Sequence, residues 1–579
     1  MDRDECERQR ILAILEQSDS EKSGISSESE EDQDRVSVQS QETDTEQAPS
    51  SSDEDDTPLS ELQVQRSQYY VGKDGTKWQK QPFRQNRRTR MENIITVPPG
   101  VQPQAKSALS EIDCWGLFFT SEMLQRVLSH TNAQIREKMQ ACQDLSKYSY
   151  MKECTLHEFM AFIGLLYIAG LHRSGRENIS DLWASDGTGV DIFRLTMSER
   201  RFHFIQSHLC FDDKLTRGER RVVDNLAPIR DFFDAFVNNC QGAYNPSEYL
   251  TIDEMLIAFR GRCRFRQYIP SKPAKYGLKI IALVDAKCFY IVNLEIYAGT
   301  QPAGPYFVSN KPFDVVDRIV QPVSKSNRNI TFDNWFTSYE LVLHLLQEHR
   351  LTSVGTLRKN KRQIPLEFTK TRGKEINSST FGFQNDVTIV SHIPKKNKVV
   401  LLMSSLHHDA TIDESTAEKR KPEINTFYNM TKGGVDVADE LCSTYNVSRN
   451  TKKWPKTIFY AVLNMSAINA YIIHNKNNNQ IVKRRQFLKK LGLALVNNHL
   501  NTRQDVVQLP RETRKRIRDF LGEPSEEPPA KVQGVRKRCQ VCPAKKDRKT
   551  THTCTNCHKF ICPEHIVPYC KECCDMLQE

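Results

Sequence analysis

From residue 107 onward the chain alternates between two hydrophobic periods, and the change from one to the other divides it. Trp115, Leu117, Phe118, Phe119, Met123, Leu124 and Val127 recur at helical spacing and make one apolar face. Residues 155–167 read Thr-Leu-His-Glu-Phe-Met-Ala-Phe-Ile-Gly-Leu-Leu-Tyr, with Thr155 and Glu158 at capping-box spacing ahead of a buried helix. Helices are also predicted over 197–210 and 226–242, and this all-helical block ends near Pro246. Beyond it the period drops to two. Residues 250–259, 279–284 and 289–297 read as three strands with short connections, an antiparallel meander. A helix over 312–323, a strand over 329–333, a helix over 337–348 and a strand over 351–357 follow.

Three strands, helix, strand, helix, strand is the core order of an RNase H-like fold, a mixed sheet with flanking helices. The chain is therefore expected to be multidomain α/β, with this core over 249–360. The fold needs one more helix, and it is delayed. Residues 361–417 are basic and β-rich, with strands predicted at 388–390 and 399–403, and read as an insertion domain. The missing helix begins within 429–439, Asn-Met-Thr-Lys-Gly-Gly-Val-Asp-Val-Ala-Asp, so the core resumes over 418–442. Helical segments occupy 106–248 and 443–522; helices are predicted over 433–445, 455–474 and 482–497, with a basic segment at 511–518. A linker follows at 523–535 and a cysteine-rich module at 536–579. Residues 458–473 are apolar except for Asn464, Ser466 and Asn469, and read as a buried helix rather than a membrane span.

Composition adds a partner class. Residues 1–105 are poor in aromatics and rich in Ser, Glu, Asp and Gln, and are expected to be disordered. Within them Ser29 and Ser52 precede acidic runs, the pattern an acid-directed kinase uses. A basic aromatic stretch, 69–90, is expected to become ordered on a partner. The net charge is +10, yet the first 65 residues hold 20 acids against 5 bases, a local −15 that leaves +25 on the remainder. A body that basic points to nucleic acid. The N-terminus opens acidic, unlike a secretory signal. The longest uncharged apolar run, 159–171, is 13 residues, too short to span a bilayer, so no membrane partner is expected. Of 17 cysteines, nine are scattered singly and eight lie in the last 41 residues, which suits reduced thiols plus a metal module rather than a disulfide framework.

The candidate chemistry lies in carboxylates. Residues 249–262, Tyr-Leu-Thr-Ile-Asp-Glu-Met-Leu-Ile-Ala-Phe-Arg-Gly-Arg, plant Asp253 and Glu254 in an apolar strand that exits through Arg260 and Arg262. A buried acid is costly unless a cation or hydrogen bonds neutralise it. Strand alternation puts Glu254 on the face opposite Asp253, so only one of the two can be a ligand. Asp333 ends the fourth strand, and Asp436 and Asp439, one turn apart, share a face of the final helix. In RNase H topology the first and fourth strands are central neighbours and the final helix packs across them. One carboxylate from each element would then converge on two Mg²⁺ ions, with no need for His or Cys. Any one of these acids alone reads as a cap or a solvated residue, as does Asp285 on an outer strand; the conjunction sets the three apart.

The C-terminal spacing is Cys539-x₂-Cys542-x₁₁-Cys554-x₂-Cys557-x₄-Cys562-x₂-His565-x₄-Cys570-x₂-Cys573. Eight ligands in four close pairs make two Zn²⁺ sites, and so short a module needs the metal to fold. The interleaving favours a cross-brace, with Cys539, Cys542, Cys562 and His565 on one ion and Cys554, Cys557, Cys570 and Cys573 on the other. Sequential pairing is the alternative, and Cys574, His552 and His558 are left over. Basic runs at 531–538 and 545–549 suit phosphate contact and nuclear import, so a nuclear location is expected. Similar cross-braces recognise histone tails, which makes protein binding the rival role.

Taken together, Leu250-Thr-Ile-Asp-Glu, Phe259-Arg-Gly-Arg, Tyr268-Ile-Pro-Ser-Lys-Pro-Ala-Lys-Tyr-Gly, Asp333-Asn-Trp-Phe-Thr-Ser and Asn429-Met-Thr-Lys-Gly-Gly-Val-Asp closely resemble the motifs of piggyBac transposases, and the similarity runs from about residue 107 to the end. The resemblance implies a cut-and-paste DNA transposase with an aspartate triad at Asp253, Asp333 and Asp436, choosing Asp436 over Asp439. It implies cleavage at transposon ends through DNA hairpins, integration at TTAA targets and seamless excision. Arg358 and Lys361 resemble residues that engage target DNA, and Trp454 a tryptophan near the flanking DNA. Packing alone is the other reading of Trp454, and Trp335 is read as packing under the active site. The family further implies that the segments 106–248 and 443–522 join into one dimerisation and DNA-binding domain, that the protein is a homodimer, and that the cysteine-rich tail binds terminal inverted repeats. A host-domesticated DNA- or chromatin-binding descendant without transposition is the competing expectation. A plain Mg²⁺ nuclease would leave the tail and the helical segments unexplained.

Overall fold

The computed structural model describes residues 68–83, 93–175, 178–270, 272–479, 481–522, 536–554 and 557–567. Ser29, Ser52, the linker 523–535 and the ligand candidates Cys570 and Cys573 lie outside them. The chain divides into two units, 1–503 and 504–579.

In the larger unit the period-two segments join one eleven-stranded sheet. Its strands are β1 Tyr69–Val71, β2 Lys77–Gln79, β3 Tyr249–Ala258, β4 Gln267–Tyr268, β5 Tyr276–Asp285, β6 Ile291–Ile296, β7 Asn329–Phe332, β8 Thr352–Thr356, β9 Ser379–Phe383, β10 Thr388–Lys395 and β11 Lys398–Ser404. The order is β1-β2-β9-β10-β11-β8-β7-β3-β5-β4, with β6 also on β5. β3 pairs antiparallel with β5, from Leu250 opposite Asp285 to Ala258 opposite Gly277. On its other edge β3 runs parallel to β7, from Tyr249 opposite Asn329 to Ile252 opposite Phe332. β7 in turn runs parallel to β8. The run β6-β5-β3-β7-β8, antiparallel on one side and parallel on the other, with helices on its faces, fits an RNase H-like core.

Two further segments extend this sheet beyond the core. In the stretch 361–417, read above as an insertion domain, β9, β10 and β11 extend the central sheet, with β11 antiparallel to β8. A pattern of apolar strands carries no information on which free edge they will join. At the far end, β1 and β2, assigned above to the disordered region and to a stretch ordered on a partner, form a hairpin on β9. Trp78 is fully buried there, its Nε1 donating to the Gln363 carbonyl at 2.9 Å, and Tyr70 packs edge-on against Phe368. The hairpin has too few apolar residues for a core of its own, but enough to cover an edge strand.

The helices hold the sheet from both sides of the sequence. Helix α1, Leu156–Leu171, is capped by Thr155, whose Oγ1 accepts from the Glu158 amide at 3.2 Å. Only this half of the predicted capping box forms. The Glu158 carboxylate turns to Arg201 of α2, Glu199–His208, accepting from Nε and Nη2 at 2.8 and 2.7 Å. Arg201 also donates to the carbonyls of Tyr150, Lys152 and Glu153, so the buried charge pair is fully bonded. α3 is Pro312–Ile319, α4 Tyr339–Gln347, α5 Glu423–Thr431, α6 Gly434–Thr444, α7 Trp454–Asn478 and α8 Arg484–Arg503. α8 lies against α1 closely enough that a Cβ on Gly164 would sit 2.7 Å from the Gly492 carbonyl oxygen. Helices from before and after the sheet thus pack together. α7 has the length and apolarity to cross a membrane, yet its apolar window is wholly buried in protein. Its three polar interruptions are all bonded: Asn464 accepts from the Val447 amide, Ser466 donates to Leu463, and Asn469 both accepts from and donates to the backbone of Ile291 on β6.

Candidate active site

Asp253 sits mid-strand on β3, with its Oδ1 accepting from the Glu254 amide at 2.7 Å. Asp333 is the residue directly after β7. Because Ile252 faces Phe332 in parallel register, one further residue brings Asp333 level with Asp253. The Asp333 Oδ1 accepts from the Trp335 amide at 2.9 Å, which turns the chain toward α4. The third acid depends on a helix break. The helix expected over 433–445 is α6, and a helix that was not expected, α5, precedes it; the two part at Lys432 and Gly433. Thr251 donates to the Thr431 carbonyl at 2.6 Å, and the hydroxyls of Thr331 and Thr431 bond at 2.7 Å, which pins the break onto β3 and β7. α6 then starts against the sheet, with Asp436 in its first turn, where the helix N-terminus favours a carboxylate.

Gly434 makes that approach possible. A Cβ there would lie 2.5 Å from Thr251 Oγ1, and the hydroxyl is held by its bond to Thr431. Gly434→Ala should therefore destabilise the protein by about 1–3 kcal/mol through overpacking and displace Asp436. Denaturant unfolding measures the first effect and divalent-metal affinity the second; a silent substitution would show that α6 does not need this contact.

Asp253, Asp333 and Asp436 line one cavity of about 360 Å³, together with Glu254, Thr356, Tyr428 and the cations Lys272 and Lys432. Asp439, one turn beyond Asp436, is not on its described wall; burial, with the Asp436 charge, pushes its carboxyl up to about 6. Asp285 is a different kind of acid. Its carboxylate accepts from the Ser247 amide and hydroxyl and from the amides of Lys287 and Cys288, a saturated structural role. Glu254 alternates to the other face of β3. Its two oxygens are buried without a hydrogen-bond partner, and on that same face Lys279 of β5 places its Nζ 4.3 Å over the Trp335 ring.

Burial and mutual repulsion raise the proton affinity of two of these carboxylates. Burial, then Glu254, Asp333 and Asp436, pushes the Asp253 carboxyl well above its ordinary range, with Lys272 opposing. Burial and Glu254 push Asp333 up to about 6, against the amides of Trp335 and Phe336 and the charge of Arg358. Crowded carboxylate oxygens with raised proton affinity, and no softer donor among the described wall residues, fit a hard divalent cation. A folded-state pKa above the unfolded value means the native protein binds the extra proton. Its stability without metal should therefore fall as pH rises from about 4 through 6. Asp333→Asn should raise metal-free stability by about 1–3 kcal/mol at pH 7.5 and by little at pH 4. Thermal melts across that range, with and without Mn²⁺, check the sign; a wild-type protein that grows less stable on acidification from pH 7 to 5 would contradict it.

Arg358 lies beside the site, its Nε donating to Asn334 Oδ1 at 3.2 Å, and with Lys361 it lines a cavity of about 350 Å³. Arg260 and Arg262 are exposed at the exit of β3. Arg260 also lines a larger groove of about 1110 Å³ with Arg173 and Lys452. Trp454 starts α7 and packs edge-on against Phe265, ring centroids 5.1 Å apart. Lys272 and Lys279 were not among the site residues read from the sequence. The signal was there for Lys279, a lysine inside the otherwise apolar run of β5.

In the smaller unit Cys539, Cys542, Cys562 and His565 converge, with their ligand atoms all within 4.8 Å of one another. The sulfurs of Cys542 and Cys562 are 3.6 Å apart, and His565 Nδ1 lies 3.2–3.7 Å from the three thiols. A hairpin of Lys537–Arg538 with Lys549–Thr550 supports them. Of the second predicted set, only Cys554 and Cys557 are among the described residues.

The transposase IS4 family model matches residues 110–471. Human piggyBac transposable element-derived protein 3 is 24% identical over 421 residues, covering 70% of this chain and 68% of its own. Human piggyBac transposable element-derived protein 5 is 23% identical over 207 residues, 35% of this chain and 38% of its own. A cryo-EM structure of a piggyBac transposase synaptic complex with hairpin DNA superposes with a TM-score of 0.69 at 34% identity, over 82% of this chain and 100% of that one.

Proposed function

The chain belongs to the piggyBac family of transposases, and from that membership we propose that it is an active cut-and-paste enzyme, cleaving DNA at transposon ends through hairpins and joining the ends at TTAA. The observation that carries this reading is that three aspartates from β3, the end of β7 and α6 share one cavity wall. Asp253, Asp333 and Asp436 would hold two Mg²⁺ ions; bound there, the ions supply activation of a water or 3′-hydroxyl and stabilisation of the leaving oxygen. The chain's own part is positioning. Trp335 and Glu254 amides aim two of the carboxylates. The groove with Arg173, Arg260 and Lys452 offers cations to a DNA backbone, and Arg358 with Lys361 to target DNA. The smaller unit would carry two Zn²⁺ ions, the first on Cys539, Cys542, Cys562 and His565, and would bind terminal inverted repeats. A nuclear homodimer, with the acidic N-terminal segment open to a kinase, completes the reading.

A second reading is favoured by the human relatives, whose names mark them as transposable element-derived: a domesticated DNA-binding protein that no longer cuts. The purified protein, its own terminal repeats ending at TTAA, and Mg²⁺ decide between them. Nicked and then hairpin-ended products on a denaturing gel are expected. Tight end binding with no cleavage would overturn the enzyme and leave the second reading.

A further inference from the structure

Lys272 stands on the turn between β4 and β5, whose backbone is closed by Ile269 and Lys275 amides donating to the carbonyls of Lys275 and Lys272 at 2.8 and 3.0 Å. From that fixed base its long side chain reaches into the carboxylate cavity, where Nζ lies 3.2 Å from Asp436 Oδ1. We propose that Lys272 is a phosphate-binding residue parked on the metal ligand Asp436 in the free protein, and that it passes to the scissile phosphate when divalent ion and DNA enter. The inference rests on the transposase reading of this site.

Three observations carry it. First, the pair is a poor structural strut. The Lys272 side chain is 16% exposed but that of Asp436 is 65% exposed, and an ion pair with one partner in water contributes little to a fold. Asp436 already has a favourable place in the first turn of α6. Second, Lys272 occupies an oxygen that a metal ion would need, so the two cations compete for it. Third, the displaced ammonium cannot be left without an anion. The side chain is mostly buried, in a cavity walled by Asp253, Asp333 and Asp436. A lysine ammonium offers three donors and no acceptor, so its use in such a place is to meet negative charge. The other cation on the described wall, Lys432, lies over the Tyr428 ring instead.

The test uses the full chain loaded with zinc. Mn²⁺ binding without DNA is followed by electron paramagnetic resonance, with Asp253→Asn marking the signal that belongs to this site. Lys272→Gln should bind Mn²⁺ about two- to fivefold more tightly than wild type, because the competing charge is gone. Its single-turnover cleavage at saturating metal should fall about tenfold or more. A methylphosphonate at the scissile position should erase the difference between variant and wild type. Lys272→Arg, which keeps the charge and guards against a folding defect, should keep wild-type Mn²⁺ affinity. Unchanged or weaker Mn²⁺ binding by Lys272→Gln, or undiminished cleavage, overturns the proposal. A wild type that neither binds Mn²⁺ through Asp253 nor cuts DNA overturns the transposase reading instead.

Discussion

Asp253→Asn should lower Mg²⁺-dependent nicking of transposon-end DNA by about 10³-fold or more while leaving end binding intact. A carboxylate shared by two metal ions contributes several kcal/mol to a phosphoryl-transfer transition state, and each 1.36 kcal/mol lost is about a factor of ten. The amide is nearly isosteric, keeps an oxygen to accept from the Glu254 amide, and removes a charge that its neighbours Glu254, Asp333 and Asp436 all disfavour. The fold should therefore survive, and survive without metal at least as well as the wild type. That combination separates loss of chemistry from loss of structure. A denaturing gel reports cleavage, and a melting curve with a binding titration reports the rest. Cleavage that persists at wild-type rate would remove Asp253 from the active site, and collapse of DNA binding would assign it a structural role.

Zinc removal should produce the other large effect. Cys539, Cys542 and Cys562 are the buried cluster of the described tail, and its hairpin strands are two residues each. Ligand binding of this type supplies roughly 10–16 kcal/mol in small zinc modules, far more than so short a hairpin can bury. A chelator, or Cys542→Ser, should unfold this module and weaken terminal-repeat binding by about tenfold or more, while the sheet and the Asp253 cavity keep their melting transition. Metal content by mass spectrometry and end binding by titration check both halves. End binding untouched by chelation would remove the tail from DNA recognition and favour a protein partner.

The sequence carried the core strands to within a few residues, because period-two burial is written in side chains regardless of partner: 250–259 became Tyr249–Ala258, and 329–333 became Asn329–Phe332. It also separated the acids by type of place, Asp253 mid-strand, Asp333 at a strand end and Asp436 in a helix turn. Three features were not legible. The helix break at Lys432 and Gly433 is set by Thr251 and Thr331, about 180 and 100 residues away, which bond Thr431. The edge hairpin around Trp78 was read as a stretch that orders on a partner, because the strand and side chains that cover it, β9 and Phe368, lie about 300 residues further along the chain. Half of the predicted capping box gave way to Arg201, which offered Glu158 a stronger partner than its own N-cap amide.

What the sequence alone determined is the order of the elements and the identity of the residues able to do chemistry. Periodicity, caps and ligand spacing are local, and each is decided by side chains a few positions apart. What only the tertiary structure decided is the set of contacts by which those residues are brought together. The parallel register of β3 on β7 sets Asp333 level with Asp253, Gly434 lets α6 close onto Thr251, and the β4–β5 turn sends Lys272 to Asp436. Each contact joins segments far apart in the chain. Its energy comes from burial and pairing that exist only once both sides are in place, so no local pattern could have announced it.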